Sequence, residues 1–149
     1  MEHKNSFSKQ ERICARSSVS ELFEKGESLF SFPCKCVYQI NDTSEELSSQ
    51  GIVVRIMVSV GKRYHKRAVR RNRVKRLIRE AYRLNKGYAR ELLAPYLEGK
   101  VLTICYIYTS KQEENYKTVE NGVRKSFEKV EAVFKKNCDS NSFIADSVL

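Results

Sequence analysis

Several features that are common in proteins are scarce or absent in this chain of 149 residues. It has no tryptophan, two prolines and two histidines. No stretch approaches the ~18 uninterrupted apolar residues that a membrane-spanning helix needs, so we expect no membrane span. The first residues, MEHKNSFSKQER, lack the apolar core of a secretory signal peptide, which predicts a cytoplasmic location.

The motifs of metal-dependent and nucleophilic enzymes are also missing. There is no HExxH, no glycine-rich phosphate loop and no Ser/His/Asp grouping. The acidic pairs Glu45-Glu46 and Glu113-Glu114 are adjacent in sequence. Adjacent side chains point apart on a regular element, so we interpret both pairs as loop charges. The sequence therefore shows none of these catalytic motifs.

The five cysteines favour neither a disulfide framework nor a zinc site. Their number is odd and the expected location is cytoplasmic, where disulfides are rare. Cys34 and Cys36 are separated by one residue instead of the two to four that are usual in zinc knuckles, and no histidine pair follows. We predict buried or half-buried thiols.

Length and composition predict a single α+β domain. The apolar fraction of 41% suffices for one core. We expect a flexible arm at 1–10, a folded domain at 11–136 and a flexible tail at 137–149. Helices are predicted at 17–25, from about 68, and at 116–136; strands are predicted at 34–40, 52–60 and 101–108, with one further short strand possible.

The sequence also predicts how the strands are connected and which of them is central. The polar residues 41–51 predict a hairpin loop between two strands. The strand at 101–108 is apolar on both faces, which is typical of a central strand. The unit from 52 to 108 is a strand–helix–strand crossover, which is normally right-handed when its strands are parallel.

Positive charge is concentrated in one segment, residues 62–86. Twelve of its 25 residues are Lys or Arg and one is acidic, giving +11, whereas the whole chain carries +10. The rest of the chain is therefore close to neutral. Such a concentration predicts a polyanionic partner.

The helical part of this segment divides into two faces. Apolar residues recur with the helical period and predict one buried stripe, formed by Val74, Leu77, Ile78, Ala81 and Tyr82. Asn72, Arg76, Arg79 and Arg83 fall on the opposite face, with Lys75 and Lys86 beside them, and Gly87 is expected to end or bend the helix. Like charges at i and i+4 repel, and phosphates placed between them relieve that repulsion.

Three other interpretations of the basic helix remain open at this point. Charge runs are often solvated faces, although those normally mix both signs. A basic amphipathic helix can lie on an anionic membrane, but the apolar stripe is needed for packing on the sheet. Sequence-specific DNA binding is the third.

The string RNRVKR, Arg71 to Arg76, resembles the RNR motif of the bacterial ribonuclease P protein subunit. The similarity extends through KRAVRRNRVKRLIREAYR and the preceding SVGKR, Ser59 to Arg63. Near the N-terminus, RI…LFEKGES resembles the family's first helix. The resemblance implies an α/β sandwich of order αβββαβα, like the second domain of ribosomal protein S5. It also implies a left-handed crossover, contrary to the usual rule.

The resemblance further implies an RNA-binding role in tRNA maturation. The family binds the catalytic RNA of ribonuclease P and the 5′ leader of precursor tRNA, and that RNA removes the leader with Mg²⁺. By this resemblance the protein supplies no catalytic side chain and binds no cofactor with its side chains alone. Neither DNA nor a membrane is expected as a partner. The RNA-binding residues would be Lys62, Arg63, Lys66, Arg67, Arg71, Asn72, Arg73, Lys75, Arg76 and Arg79.

The family's leader cleft lies between the first helix and the sheet. The resemblance places Val19, Phe23 and Lys35 there, together with Val37 or Tyr38, because the strand register is open by one residue and a slip exchanges the faces. Arg55 would contact leader phosphates or remain solvated. Two rival functions stay open: a basic ribosomal or structural RNA-binding protein with no processing role, and a nuclease that acts alone.

Overall fold

The computed structural model of the chain describes residues 16–42, 44–45, 54–63 and 65–148, with the backbone alone for 16–18 and 138–148. Within these ranges the element order is αβββαβα, which confirms the expected fold class. The helices are α1 (Arg16–Lys25), α2 (Ala68–Leu93) and α3 (Tyr116–Val148). The strands are β1 (Glu27–Ser31), β2 (Cys34–Asp42), β3 (Val54–Val60) and β4 (Lys100–Tyr108).

The four strands form one sheet of order β1-β2-β4-β3. β2 is antiparallel to both of its neighbours, and β3 is parallel to β4. The predicted hairpin between β2 and β3 is wrong, because β4 lies between these strands. The physical reason is the apolar character of β4 on both faces, which favours an interior position in the sheet. The β3–α2–β4 unit is a parallel crossover as predicted, and its hand remains a prediction.

The helices cover the two faces of the sheet unequally. α2 and α3 pack on one face and form the main core with the inward residues of all four strands. α1 packs on the other face, where Leu22 contacts a small cluster with Val37 and Cys105. Below, this second face is called the α1 face. Among the described residues one short helix covers it, and Lys35 on this face is exposed.

The apolar stripe of α2 is confirmed. Val74, Ile78, Ala81 and Tyr82 are buried, and Leu77 is partly buried against the same core. Gly87 does not end the helix, which continues to Leu93. A glycine costs about 1 kcal/mol in a helix interior, and the burial of Ala89 and Leu93 beyond it is sufficient to offset that cost.

α3 is longer than the sequence predicted. Its stripe is confirmed, since Val119, Val123, Phe127, Val130 and Phe134 are buried. The predicted end at 136 is wrong, because the helix continues to Val148. Residues 137–148 contain neither proline nor glycine, so nothing in the local sequence stops it. The flexibility expected at 137–149 remains a prediction, and the arm expected at 1–10 lies outside the described residues.

α3 approaches the turn between β1 and β2 closely, and Gly122 makes this approach possible. Ser31 is buried, and its Oγ donates a hydrogen bond of 2.6 Å to the carbonyl oxygen of Gly122. A Cβ atom at Gly122 would lie 2.3 Å from the carbonyl oxygen of Phe32. No flexible side chain can yield there, so the position requires glycine for steric reasons. At Gly87, by contrast, a Cβ atom would meet nothing within 4 Å.

Two alanine substitutions in helices should therefore have opposite effects on stability. We expect Gly122→Ala to lower the free energy of unfolding by about 1–3 kcal/mol, because overpacking outweighs the gain in helix propensity. Gly87→Ala should raise it by about 0.5–1 kcal/mol. Urea denaturation of both variants and the parent checks this. Equal stabilisation by both substitutions would contradict the close approach.

Candidate nucleic-acid interface

The segment before α2 is held against the end of β4 by a buried histidine. His65 is 4% exposed, and its Nε2 lies 2.9 Å from the carbonyl oxygen of Ser110. A carbonyl can only accept, so Nε2 is the protonated ring nitrogen of this contact. The ring also packs edge-on against Tyr108, with 5.4 Å between ring centroids. These contacts fix the position at which α2 begins.

Arg71 strengthens the same junction. Its Nη1 donates to the carbonyl oxygens of His65 and Lys66, at 3.0 and 2.7 Å. This nitrogen is therefore engaged within the protein. The contact that Arg71 is predicted to make with RNA remains a prediction, and it would have to use the other guanidinium nitrogens. The motif alone does not reveal this structural role, because the partners are backbone carbonyls.

The first half of α2 and the segment before it form a continuous positively charged surface, called the basic surface below. Its members are exposed, apart from half-buried Lys75: Lys62, Arg63, Lys66, Arg67, Arg70, Asn72, Arg73, Lys75, Arg76 and Arg79. All of them except Arg70 were predicted as RNA contacts. Arg70 lies inside the charged segment and its exposure became evident only from the structure.

The N-terminus of α2 adds to this positive potential. Arg67 is the N-cap residue, and no side chain caps the helix there. The first helical turn has no acidic residue. Unpaired N–H groups and the helix dipole favour an anion at such an end. The positive charge of the side chains and the positive end of the helix dipole therefore attract the same kind of ligand, an anion.

An acidic side chain lies beside the basic surface. A carboxylate oxygen of Glu113, in the loop before α3, lies 3.5 Å from Nη1 of Arg73. The Arg73 side chain is 62% exposed, so water and salt weaken this pair. A phosphate can displace such a partner at small cost. Glu113 lies in a loop and is exposed, which confirms its prediction as a loop charge, and its position beside the basic surface was not predicted.

The second half of α2 has a different electrostatic character. Arg83 donates from Nε to Glu80 at 3.1 Å, and the hydrogen bond from Arg83 lowers the pKa of the Glu80 carboxyl. Lys86 is 7% exposed. The expectation that Arg83 and Lys86 extend the open cationic face is therefore wrong. The reason is α3, which packs along this half of the helix.

Polar contacts join α3 to this part of α2. Asn85 Nδ2 donates to Glu120 at 3.1 Å, and Arg124 Nη1 donates to Asn85 Oδ1 at 3.3 Å. The Arg124 guanidinium also lies 4.4 Å from the centre of the Tyr88 ring. The basic surface is thus confined to the part of α2 that α3 leaves uncovered.

On the α1 face, the register of β2 decides between Val37 and Tyr38. Val37 packs with Leu22 and Cys105, and half-buried Val19 contacts the same cluster. Tyr38 belongs to the core on the opposite face. Its hydroxyl donates to Glu27 at 3.0 Å, and burial, followed by this hydrogen bond, raises its pKa to about 12. The assignment of Tyr38 to the cleft is therefore wrong. Val37 lies on the α1 face, and its contact with the leader remains a prediction.

Two further predicted cleft residues are exposed. Lys35 shares the α1 face with Val37, two residues away on the same strand, and is exposed. Phe23, on α1, is 48% exposed. Phe30 of β1 pairs directly with Lys35 and is 53% exposed. Phe30 was not predicted, because the short strand β1 was not assigned from the sequence.

The described part of the chain offers no ready metal site. Within it, no group of three or more His, Cys, Asp or Glu side chains is arranged to hold a metal ion. Cys34, Cys36 and Cys105 are buried and free, as predicted, and burial raises the pKa of Cys34 to about 12 and of Cys105 to about 11. Cys14 and Cys138 lie outside the residues with described side chains. No helix among those described is long and apolar enough to cross a membrane.

Comparisons with known proteins agree on one family. The sequence pattern of the Ribonuclease P family matches residues 7–131. The chain is 36% identical over 120 residues to a ribonuclease P protein component from Porphyromonas gingivalis, covering 80% of this chain and 82% of that protein. It is 39% identical over 90 residues to one from Chlorobaculum tepidum, covering 60% and 57%.

Solved structures of similar proteins have the same fold. The ribonuclease P protein from Thermotoga maritima matches with a TM-score of 0.57 and 23% identity, covering 79% of this chain and 96% of that one. The protein from Staphylococcus aureus matches with a TM-score of 0.51 and 21% identity, covering 83% and 96%. At these identities the structures support the fold alone.

Arginines of the RNR string should differ in their effect on stability. Arg71→Ala removes two hydrogen bonds to backbone carbonyls, so we expect it to lower the free energy of unfolding by about 1–2 kcal/mol. Arg76→Ala removes an exposed side chain and should change it by less than about 0.5 kcal/mol. Thermal unfolding of the free protein measures both. Unchanged stability of the Arg71 variant would show that the junction does not depend on these bonds.

Proposed function

The chain belongs to the ribonuclease P protein family, and on that premise we propose that it is the subunit that binds the catalytic RNA and the 5′ leader of precursor tRNA. Its role as a ribonuclease P protein component is RNA binding in tRNA 5′-end maturation. The observation that carries the proposal is the basic surface. It includes the exposed residues of the RNR string, and the helix that bears it packs on the core of the domain. The two RNA partners are our inference from the family.

Phosphate binding by this surface follows from the chemistry of its side chains. Arg73, Arg76 and Arg79 are exposed and present planar guanidinium groups, which match phosphate oxygens in pairs. They lie at helical spacings of three residues, so their charges repel one another until an anion intervenes. The backbone of A-form RNA provides closely spaced anions in a groove whose shape, rather than base sequence, is recognised. We therefore assign this surface to the catalytic RNA.

We assign the exposed part of the α1 face to the leader. It presents Phe23 and Lys35 beside the apolar cluster that contains Val19 and Val37. An exposed aromatic ring next to a positive charge suits single-stranded RNA, because every base can stack and every linkage carries a phosphate. With a valine at position 19, stacking at that point is weaker than an aromatic residue would provide.

We further propose that catalysis resides in the RNA and that the assembled enzyme requires Mg²⁺. Mg²⁺ prefers carboxylate and phosphate oxygens, and the residues of the basic surface are cationic or neutral, so they do not fit this ion. The proposal does not require any carboxylate of this chain to bind Mg²⁺. The protein's own contribution is to neutralise phosphates and to hold the leader.

Reconstitution of precursor-tRNA cleavage tests this function. The cognate RNA with wild-type protein should cleave faster at low Mg²⁺ than the RNA alone, and the difference should shrink as Mg²⁺ increases, because both supply positive charge. Equal rates with and without protein throughout the series would contradict the proposal. Recovery of ribosomal RNA instead of one abundant non-coding RNA in a pull-down would favour a structural RNA-binding role.

The number of phosphate contacts can be read from salt dependence. We expect Arg76→Gln to weaken binding of the catalytic RNA and to reduce the slope of log K against log salt by roughly 0.7–0.9, the value for one lost contact. Arg90→Gln is the matched control, because Arg90 is exposed in the last turn of the same helix and lies outside the basic surface. Filter binding at several salt concentrations measures both slopes. A slope equally reduced in the two variants would mean that only net charge matters.

A further inference from the structure

We propose that the groove between the edge strand β1 and helix α3 binds the upstream part of the leader, beyond the nucleotides held on the α1 face. The groove has a volume of about 410 Å³, and its lining includes Phe30, Phe32, Thr118, Asn121, Lys125 and Lys129. It lies apart from the basic surface in sequence, since α2 contributes none of these residues. This inference rests on the proposed function and extends it to a second site.

The floor of the groove is well ordered by contacts within the protein. Ser31 hydrogen-bonds to the carbonyl oxygen of Gly122, and the absence of a side chain at Gly122 brings α3 against the turn at Phe32. Lys129 Nζ donates to the carbonyl oxygen of Phe30, across the edge of the sheet. These contacts hold β1 and α3 in a fixed relative position. A ligand would therefore meet a preformed surface.

The chemistry of the lining suits single-stranded RNA. Phe30 and Phe32 are 53% and 52% exposed, which is unusual for phenylalanine and leaves ring faces available for stacking. Lys125 is exposed on α3, and within the described residues no carboxylate forms a salt bridge with it. Lys129 supplies a second positive charge. Apolar rings beside exposed lysines are complementary to nucleobases joined by phosphates.

Phe30 connects this groove with the α1 face. Its neighbour Leu29 packs against the main core, and Ser31 hydrogen-bonds to α3, so both point to the opposite face. Because side chains alternate along a strand, Phe30 projects from the α1 face. There it pairs with Lys35, a residue of the proposed leader cleft. A strand of RNA that leaves the cleft at Lys35 would therefore meet Phe30 next, at the edge of the groove.

The leader is the preferred occupant because of this continuity. A segment of the catalytic RNA would have the same stacking and phosphate chemistry. In the proposed function, however, that RNA is held by the basic surface, and α2 contributes no residue to this groove. The leader is already placed at the adjoining edge in the proposed function. The two sources are separated by measuring leader length and binding of the catalytic RNA independently.

The test uses the holoenzyme, formed from the full chain and its cognate RNA. Precursor tRNAs with leaders lengthened one nucleotide at a time are bound to wild type, Phe32→Ala and Lys125→Ala. Matched controls are Leu84→Ala, an exposed apolar residue of α2, and Lys135→Ala, an exposed lysine of α3 outside the groove. Thermal unfolding of each free variant verifies that the fold is retained.

With wild type and both controls, we expect affinity to rise as the leader is extended past the cleft. Phe32→Ala should remove about fivefold or more of that gain, the effect of one lost stacking contact, and Lys125→Ala should make the gain less sensitive to salt. Binding of the shortest leader and of the catalytic RNA should be unchanged. An identical length dependence in wild type and both variants would overturn the inference.

Two other results would also overturn it, and they can be told apart. Weaker binding of the catalytic RNA by the groove variants, with unchanged length dependence, would assign the groove to that RNA. Failure of wild type to promote cleavage of the precursor with the shortest leader would refute the proposed function itself.

Discussion

The structure depends above all on the burial of one apolar stripe of α2 against the sheet. Each fully buried side chain of the size of Val74 or Ile78 contributes about 1.5–3 kcal/mol, whereas a pair of like charges one helical turn apart costs about 0.2–0.5 kcal/mol. Packing therefore outweighs repulsion. The helix can carry a dense array of arginines on its outer side and still form part of a stable domain before any RNA binds.

The two halves of α2 differ because α3 packs along only one of them. Both halves carry arginine or lysine, but α3 packs along the second half and brings Glu120 and Arg124 against Asn85. There the charges are paired or buried, as Arg83 and Lys86 demonstrate. The basic side chains of the first half remain exposed or half-buried, and the contact of Arg73 with Glu113 is weak. The binding surface is thus defined by which part of the helix the rest of the fold leaves open.

Periodicity was sufficient to predict the features that depend on local pattern. The stripe of α2, the alternation of β3 and the apolar character of β4 each repeat over many residues, and the structure confirms them. Features that depend on distant partners were not predictable in this way. The hairpin between β2 and β3 was wrong because the position of β4 is decided by packing. Tyr38 was misplaced because one residue of register exchanges the faces of a strand.

In the candidate site, too, features set by the local pattern were predictable and features set by distant contacts were not. The RNR string identified the exposed arginines, since their position opposite the apolar stripe follows from helix geometry. It did not identify the structural role of Arg71 or the exposure of Arg70. The groove beside β1 was also invisible, because β1 is short and lacks a clear alternation of apolar residues. Contacts between segments far apart in sequence, such as Ser31 with Gly122, create that groove.

The central claim is that RNA is bound by the first half of α2 and not by the second. Its most direct test is to measure, by mass spectrometry, which arginines RNA protects from a guanidinium-reactive reagent. The account predicts protection of Arg73, Arg76 and Arg79 in the complex with the catalytic RNA, with no change at Arg83 or Arg90. Equal protection along the whole helix, or none in its first half, would contradict it.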